Sequence, residues 1–333
     1  MRRALLSIAA SIVSLAPLLA FSADLKVVDT IKGPDGGWDY ASIDTAGNRL
    51  LVARPDGLMA IDLATHAVTP TLVPGQRTHG AAIAPNGVGV LASGGNGAAV
   101  IFNGADGSVL GQVPVGKKPD AVVYEPKSGL IAVIDNKEGG VALIDPDKKA
   151  SAGTIEVPGA LEFAAADGEG KIYINVEDKN DMVVLDVATR KVVARRPLPG
   201  CEEPSGLAFD PQTHVLVSAC GNGKAIATSS TDGKVLATLA IGGGPDAVIF
   251  DAKNKRFLVP CGRSGELTVI SEEGGTLKVT GTVKTAPGAR LGALDPATGK
   301  IYLPVADFKP AAKEGERPTI VPGTFRVLVL AAQ

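Results

Sequence analysis

A short segment of this chain occurs twice, as GKKPDAVVYEP at 116–126 and GGGPDAVIFDA at 242–252. The two copies lie 126 residues apart, which is three times 42, so the spacing predicts further copies of a unit of about 42 residues. Five more segments match, each with a Gly- or Pro-rich approach, a short apolar run and an Asx or Gly turn. One aligned column through the seven copies reads Asp39, His79, Asp120, Glu162, Ser205, Asp246 and Arg290, in steps of 40 to 44 residues.

A continuous repeat leaves no place for a domain boundary, so we interpret residues 24–333 as a single domain. The chain has 41 Gly and 23 Pro, with 45% apolar but only 4% aromatic residues. This composition is typical of short strands and turns around an ample core.

Each repeat alternates in the manner of four short antiparallel strands. In the fourth repeat these are LEFAAA, KIYINVED, MVVLDV and VVARRPL, separated by Gly, Asx and Lys turns. The seventh repeat stops one strand short, and LKVVDTIKG at 25–33 precedes the first full repeat. The sequence therefore predicts an all-β, seven-bladed β-propeller whose N-terminal strand completes the last blade.

The segment KIYINVEDKN at 171–180 resembles the YVTN repeat, and the chain is similar throughout to the YncE-like bacterial seven-bladed propellers, which have WD40-like repeats. The resemblance implies an exported binding or scaffold protein. Other blades depart from the motif at the loop ends, where a ligand would be met.

Residues 1–23 have the pattern of a signal peptide: a basic MRR, an apolar run and small residues before a cleavage point. They predict a periplasmic or secreted protein with no membrane span after cleavage. An uncleaved anchor is the alternative, although the apolar run is shorter than the roughly 20 residues a spanning helix needs. Without Arg2 and Arg3 the net charge is 31 − 35 = −4 and no basic stripe remains, so nucleic-acid binding is not expected.

Propeller geometry predicts where a ligand binds. The innermost strands line a central channel, and the seven aligned positions lie where these strands begin, as a ring around one mouth. The ring lies beside the loops that join second and third strands, and a second tier surrounds it: Trp38, Arg54, Asn96, Asn136, Glu177, Asn222, Arg263 and Asp307. Carboxylates dominate the ring, which favours a cation, a metal or a polar solute over an anion.

Structural roles are open for the same residues. Asp120 and Asp246 can hydrogen-bond backbone groups of the next blade, and His79 can be a hydrogen-bonded histidine without a ligand. Trp38 can fill the seam between blades, and Arg290 can act as a counter-ion for the ring.

No metal motif occurs locally in the sequence, and no cofactor is predicted. A divalent cation is an alternative, and its site would be assembled across blades from Asp39, His79, Asp120 and Glu162. A nucleophile pair of Ser205 and His79 is not expected, because the two lie three blades apart.

Three cysteines allow at most one internal disulfide. Cys201–Cys220 is the preferred pair, since antiparallel strands bring both to one face of the fifth repeat. Cys220–Cys261 and three free thiols are the alternatives.

The insertion DFKPAAKEGERPTIVPGTF at 307–325 is the least repeat-like part of the domain, and it is expected on the same face as the ring. We therefore expect a monomeric, exported, non-catalytic propeller whose channel-mouth face binds a protein or a small polar ligand. The alternatives are a metal-dependent hydrolase of lactonase or esterase type and an accessory subunit of a periplasmic redox system.

Overall fold

The predicted repeats fold into seven blades, each a four-stranded antiparallel sheet, which confirms the seven-bladed β-propeller. The computed structural model describes residues 25–310 and 318–332. The predicted signal peptide at 1–23 and the middle of the 307–325 insertion lie outside these residues. No helix within them is long and apolar enough to cross a membrane.

The first three blades each contain four consecutive strands. Their bounds are β2 Ala41–Asp44, β3 Arg49–Arg54, β4 Gly57–Asp62 and β5 Val68–Pro74 in blade 1; β6 Thr78–Ile83, β7 Val88–Ser93, β8 Ala98–Asn103 and β9 Val109–Pro114 in blade 2; and β10 Pro119–Glu125, β11 Leu130–Asp135, β12 Gly140–Asp145 and β13 Ala150–Glu156 in blade 3.

Blades 4 to 6 repeat this pattern. Their bounds are β14 Leu161–Ala166, β15 Lys171–Val176, β16 Asp181–Asp186 and β17 Lys191–Pro197 in blade 4; β18 Pro204–Asp210, β19 Val215–Cys220, β20 Lys224–Ser229 and β21 Val235–Ala240 in blade 5; and β22 Ile249–Asp251, β23 Arg256–Cys261, β24 Glu266–Glu273 and β25 Thr276–Lys284 in blade 6. The predicted second strand of blade 4 is shorter than expected, because a 3-10 helix occupies Glu177–Lys179.

Blade 7 joins the two ends of the chain. Its strands are β26 Ala293–Leu294, β27 Ile301–Val305 and β30 Arg326–Ala331, and β1 Lys26–Lys32 pairs antiparallel with β30 as the outermost strand. This is the predicted closure of the ring, and it covers the edge that β30 would otherwise expose.

Burial within a blade follows the position of the strand. The second and third strands are buried along almost their whole length, as in β11, because both of their faces pack against neighbouring blades. The outer strand β21 instead alternates half-buried and exposed residues. The core is therefore a set of apolar layers between blades, which explains the continuous Val, Leu, Ile and Ala runs of the middle strands.

The inner strands carry an irregularity that positions the channel side chains. In blades 2 to 5 the pairing register shifts at the start of the inner strand, for example between Pro119 and Val122 and between Leu161 and Ala164. Two residues of the inner strand there oppose one residue of the second strand, as in a β-bulge. Strict alternation therefore fails at this point of the blade.

Carboxylates hold many of the hairpin turns that join inner and second strands. Asp44 accepts the N–H of Gly47 at 2.9 Å, and Glu125 accepts those of Lys127 and Ser128. Such side-chain bonds to nearby N–H groups explain why Asp and Glu recur at these turns.

The insertion in blade 7 begins and ends with a short hairpin, formed by β28 Phe308–Lys309 and β29 Thr319–Ile320. Its C-terminal arm is tied to the loop before blade 1, because Gly323 N–H donates to Asp35 Oδ1 at 2.6 Å.

Candidate functional site

Three of the predicted ring residues converge at the mouth of the channel. His79 Nδ1 lies 2.6 Å from Asp39 Oδ2 and 3.2 Å from Asp120 Oδ1. An ionised carboxylate can only accept, so Nδ1 carries the proton in the bond to Asp39. Burial disfavours charge on the imidazole, but the hydrogen bond to Asp39 and the attraction of Asp120 outweigh burial and raise the pKa of His79.

Asp120 lies deeper than its neighbours, with 6% of its surface exposed. Burial and the nearby charge of Asp39 raise the pKa of Asp120 to about 7, although His79 and Lys118 oppose the rise. The mouth therefore contains a carboxyl group that titrates near neutral pH.

Glu162 is the next carboxylate around the ring. Its Oε1 accepts a hydrogen bond from Asn136 Nδ2, and the Nζ of Lys118 donates to Asn136 Oδ1 at 2.7 Å. Burial and the charges of Asp120 and Glu177 raise the pKa of Glu162 to about 9. Lys118 thus reaches this part of the mouth through the Asn136 amide, and Glu162 holds its proton at neutral pH.

Asp246 and Arg290 form an ion pair on the other side of the ring. Arg290 Nε donates to Asp246 Oδ2 at 2.7 Å, and 32% of the Asp246 side chain remains exposed. Burial raises the pKa of Asp246, and Arg290 opposes this rise. In this position Arg290 acts as a counter-ion, one of the two roles that its sequence position suggested.

Ser205 has a backbone role in the structure. Its hydroxyl donates to the carbonyl of Pro245 in the next blade at 3.2 Å. The Ser205 side chain therefore links the inner edges of blades 5 and 6, and its hydroxyl proton is not available to a ligand in the mouth.

The second tier does not form one ring. Arg54 is turned under the insertion, Asn222 donates to Gly200 O at 3.1 Å, and Asp307 pairs with Arg326 at 2.9 Å. The side chains of Asn96 and Arg263 are exposed. Within this tier, Asn136 and Glu177 are the residues that act on Glu162.

Two aromatic residues that the sequence reasoning missed lie just inside the mouth. The rings of Tyr40 in blade 1 and Phe163 in blade 4 meet across the channel, with centroids 5.0 Å apart. Burial and the charges of Asp120, Glu162, Asp39 and Asp246 raise the pKa of Tyr40 well above its usual value. Each aromatic directly follows a ring residue in the sequence, and that adjacency was the available signal.

This aromatic pair separates the mouth from the rest of the channel. Beyond it, at the opposite end, the inner strands of blades 1 to 3 line an open pocket of about 490 Å³. Its lining is mostly small and apolar, including Ala81, Ala82 and Val122. The two ends of the channel therefore differ in chemistry: the carboxylates of the opposite end accept hydrogen bonds from hairpin turns, whereas those of the mouth lie close to one another.

Trp38 fills the seam between blades 1 and 7, which is the structural role predicted for it as an alternative to ligand binding. Its ring packs against Phe325 and Phe308, with centroids 5.5 and 6.1 Å apart. Arg54 lies over the same Phe325 ring, 3.9 Å from the centroid, and donates to the carbonyls of Pro34 and Asp35. The described arms of the insertion thus lie on the mouth face and add an aromatic border to it.

The cysteines adopt the arrangement that the sequence favoured. Cys201 and Cys220 form a disulfide with Cα atoms 5.4 Å apart, and Cys261 is a buried free thiol. The bond links the segment before blade 5 to the end of its second strand, below the mouth loops.

The chemistry available at the mouth is that of a cation site. Asp39, His79 and Asp120 each offer one ligand atom, and the three atoms lie within 4.8 Å of one another. Two carboxylates and an imidazole can bind an organic cation by charge and hydrogen bonds, or a metal ion by coordination.

Comparisons with known proteins support the fold. A scan against protein-family models finds no match, and no curated protein matches the chain. Among solved structures, the chain is similar to a chain of the Kuenenia stuttgartiensis hydrazine synthase, with a TM-score of 0.67 and 15% sequence identity. The match covers 82% of this chain and 94% of that chain. It is also similar to a chain of a mitotic checkpoint complex, with a TM-score of 0.75 and 11% identity over 99% and 98% of the two chains. At these identities the likeness is one of propeller fold alone, and the YVTN resemblance stays a prediction.

Proposed function

We propose that this protein is an exported, non-catalytic binding propeller whose channel mouth recognises a positively charged group on a ligand or protein partner. The observation that carries the proposal is the set of carboxylates at one end of the channel, in which burial and mutual repulsion raise the pKa of Asp120 to about 7 and that of Glu162 to about 9. A bound cation would relieve this repulsion, so the mouth favours cations.

Export is supported by the leader pattern of residues 1–23 and by the disulfide. A bond such as Cys201–Cys220 is typical of proteins in oxidising compartments and rare in the cytosol. Both features agree with a periplasmic or secreted protein, which is also what the YVTN resemblance implies.

The aromatic border supports the binding of something larger than an ion. Phe308 is exposed and its ring lies beside that of Trp38. Trp38 in turn directly precedes the ring residue Asp39. An apolar rim beside a charged mouth suits a basic side chain or an amine carried on an apolar body. One of the structural neighbours comes from a complex, which is compatible with protein binding but adds no partner to the proposal.

Thermal unfolding with a panel of cations tests this function. We expect the mature chain to be stabilised by spermidine or an oligo-arginine peptide and not by an oligo-glutamate peptide, with a saturable rise in Tm. Asp39→Asn combined with Asp246→Asn, which removes two carboxylates of the mouth, should reduce the shift at least severalfold.

The matched control is Asp232→Asn, which removes an exposed carboxylate in a turn of blade 5. It should leave the shift unchanged. Equal shifts in the control and in the mouth variant would show that the cations bind elsewhere and would contradict the proposal.

A metal-dependent hydrolase is the second candidate, favoured by the convergence of Asp39, His79 and Asp120. A metal at this site would polarise an ester carbonyl and activate water. This candidate requires metal binding, so it fails if the site takes no metal. The accessory role in a periplasmic redox system has no support in the described residues and stays a prediction.

A further inference from the structure

The three converging residues at the mouth lie in, or just before, the inner strands of successive blades. Asp39 precedes β2, His79 lies in β6 and Asp120 lies in β10. Their ligand atoms approach to 2.6 and 3.2 Å around His79 Nδ1. Because the strands are held by the blades, the three side chains are positioned by the scaffold and not by a mobile loop.

Asp120 differs from the other buried carboxylates among the described residues. Each of the others accepts at least one backbone N–H, and several also bind a guanidinium or hydroxyl; they are Asp44, Glu125, Asp135, Asp210, Asp251 and Asp295. Asp120 is 6% exposed, yet within residues 25–310 and 318–332 its contact is the imidazole of His79, which is already bonded to Asp39. A buried carboxylate without its own donors is costly, unless a ligand supplies the missing positive charge.

We propose that Asp39, His79 and Asp120 form a three-ligand site for a divalent transition metal, with Zn²⁺ as the best match. This inference rests on the proposed function, because it adds a metal ion to the cations that the same mouth would bind. Zn²⁺ is commonly held by three nitrogen and oxygen ligands with an open fourth position. Ca²⁺ takes six to eight oxygen ligands, and Mg²⁺ usually keeps several waters, so this donor set suits neither as well.

The distances need little adjustment for tetrahedral coordination. Bonds of about 2.0–2.2 Å place neighbouring ligand atoms of a tetrahedron about 3.3–3.6 Å apart. His79 Nδ1 and Asp120 Oδ1 are already at 3.2 Å, while Asp39 Oδ2 must move back from 2.6 Å. The metal would take the place of the Nδ1 proton, which is released to solvent on binding. The nearby cation Lys118 is turned to Asn136 and does not fill the gap.

Calorimetric titration with ZnCl₂ tests the site directly. The mature chain, stripped with a chelator, should bind one equivalent of Zn²⁺, and His79→Ala and Asp120→Asn should each weaken binding by about 100-fold or more. Co²⁺ provides a second readout, since a tetrahedral site with an imidazole ligand gives a visible absorption band that His79→Ala should abolish.

Two variants serve as controls. His214→Ala removes an imidazole that lies beside Phe209, and Asp232→Asn removes an exposed carboxylate in a turn of blade 5, away from the mouth. Both should retain Zn²⁺ affinity within a few fold. Melting curves without metal establish that each variant is folded.

The outcomes separate this inference from the proposed function. Zn²⁺ binding that survives in both ligand variants, or Ca²⁺ binding tighter than Zn²⁺, would overturn the metal site. No Zn²⁺ binding together with a spermidine-dependent melt shift would overturn the metal site while leaving the cation-binding function intact. Loss of both responses would refute both.

Discussion

At the scale of single residues, the channel mouth shows how the same residue type serves two purposes. Asp44 and Asp120 are buried to the same extent, at 6% exposed. Asp44 is paired with Arg49 and capped by Gly47 N–H, whereas Asp120 faces other titratable groups. The first stabilises a turn, and the second makes the mouth respond to charge.

Protonation of Glu162 predicts a pH dependence of stability. Its pKa of about 9 lies above the ordinary value of 4.5, so between these values the native state holds a proton that the unfolded chain has released. Raising the pH in this range therefore favours unfolding, and the raised pKa of Asp120 and of His79 acts in the same direction. We expect Tm to fall by several degrees from pH 5 to pH 9.

The variant Glu162→Gln cannot ionise, so its Tm should fall less over the same range and match or exceed the wild type at pH 9. Glu169→Gln, in an exposed turn, is the control and should keep the wild-type slope. Parallel Tm curves for wild type and Glu162→Gln would count against the assigned protonation state.

How far the sequence predicts single residues depends on the local backbone. The aligned column correctly placed Asp39, His79 and Asp120 together, because the period of the repeat equals one blade. Strict alternation would put Phe163 on the opposite face from Glu162, and the register shift at the start of β14 defeats that rule. Ser205 could not be predicted for a different reason, since the sequence does not show which backbone carbonyl a serine hydroxyl will hydrogen-bond.

At the scale of strands, the inner edges of neighbouring blades approach so closely that some positions admit no side chain. A Cβ on Gly206 would lie 2.4 Å from the carbonyl carbon of Ala247 in blade 6. Gly206→Ala should therefore lower the free energy of unfolding by about 1–3 kcal/mol through overpacking.

Gly111 provides the matched control for this substitution. It lies in the outer strand β9, where a Cβ meets nothing within 4 Å. Gly111→Ala should be neutral or stabilising by up to about 1 kcal/mol. The urea midpoints of the two variants make the comparison, and coincident midpoints would refute the close approach of the inner strands.

Strands are also the level at which the sequence was most informative. In blade 4 the predicted and observed strands agree within about two residues at each end, because the turns carry Asx and Gly residues. Prediction was weaker in blade 7, where the inner strand has only Ala293–Leu294 in regular pairing. The third strand of this blade, β30, follows an insertion whose length no repeat pattern fixes.

At the scale of the whole molecule, the ring depends on a strand from the far end of the chain. The β1–β30 pairing runs from Lys26 opposite Ala331 to Lys32 opposite Arg326, and Ile31 is buried in the core shared by blades 7 and 1. Removing residues 24–32 should lower Tm by more than about 10 °C and cause concentration-dependent association through the exposed edge of β30.

A synthetic peptide of residues 24–33 should restore Tm and the monomeric state when added in excess. The same peptide with Ile31→Lys should not, because it places a charge in the buried position. Sedimentation velocity and melting curves report both effects. A truncated chain that stays monomeric with an unchanged Tm would show that closure contributes little.

The contact between Tyr40 and Phe163 has a kinetic consequence for whatever the mouth binds. Because the two rings lie across the channel axis, the mouth is closed at its inner end. A bound molecule must therefore leave through the same opening by which it entered. A bound ligand and a competing ligand cannot pass each other in the mouth. Exchange is therefore sequential, and the dissociation rate of the bound ligand limits the rate of exchange. A long polymer cannot thread the ring and can insert only an end or a side branch.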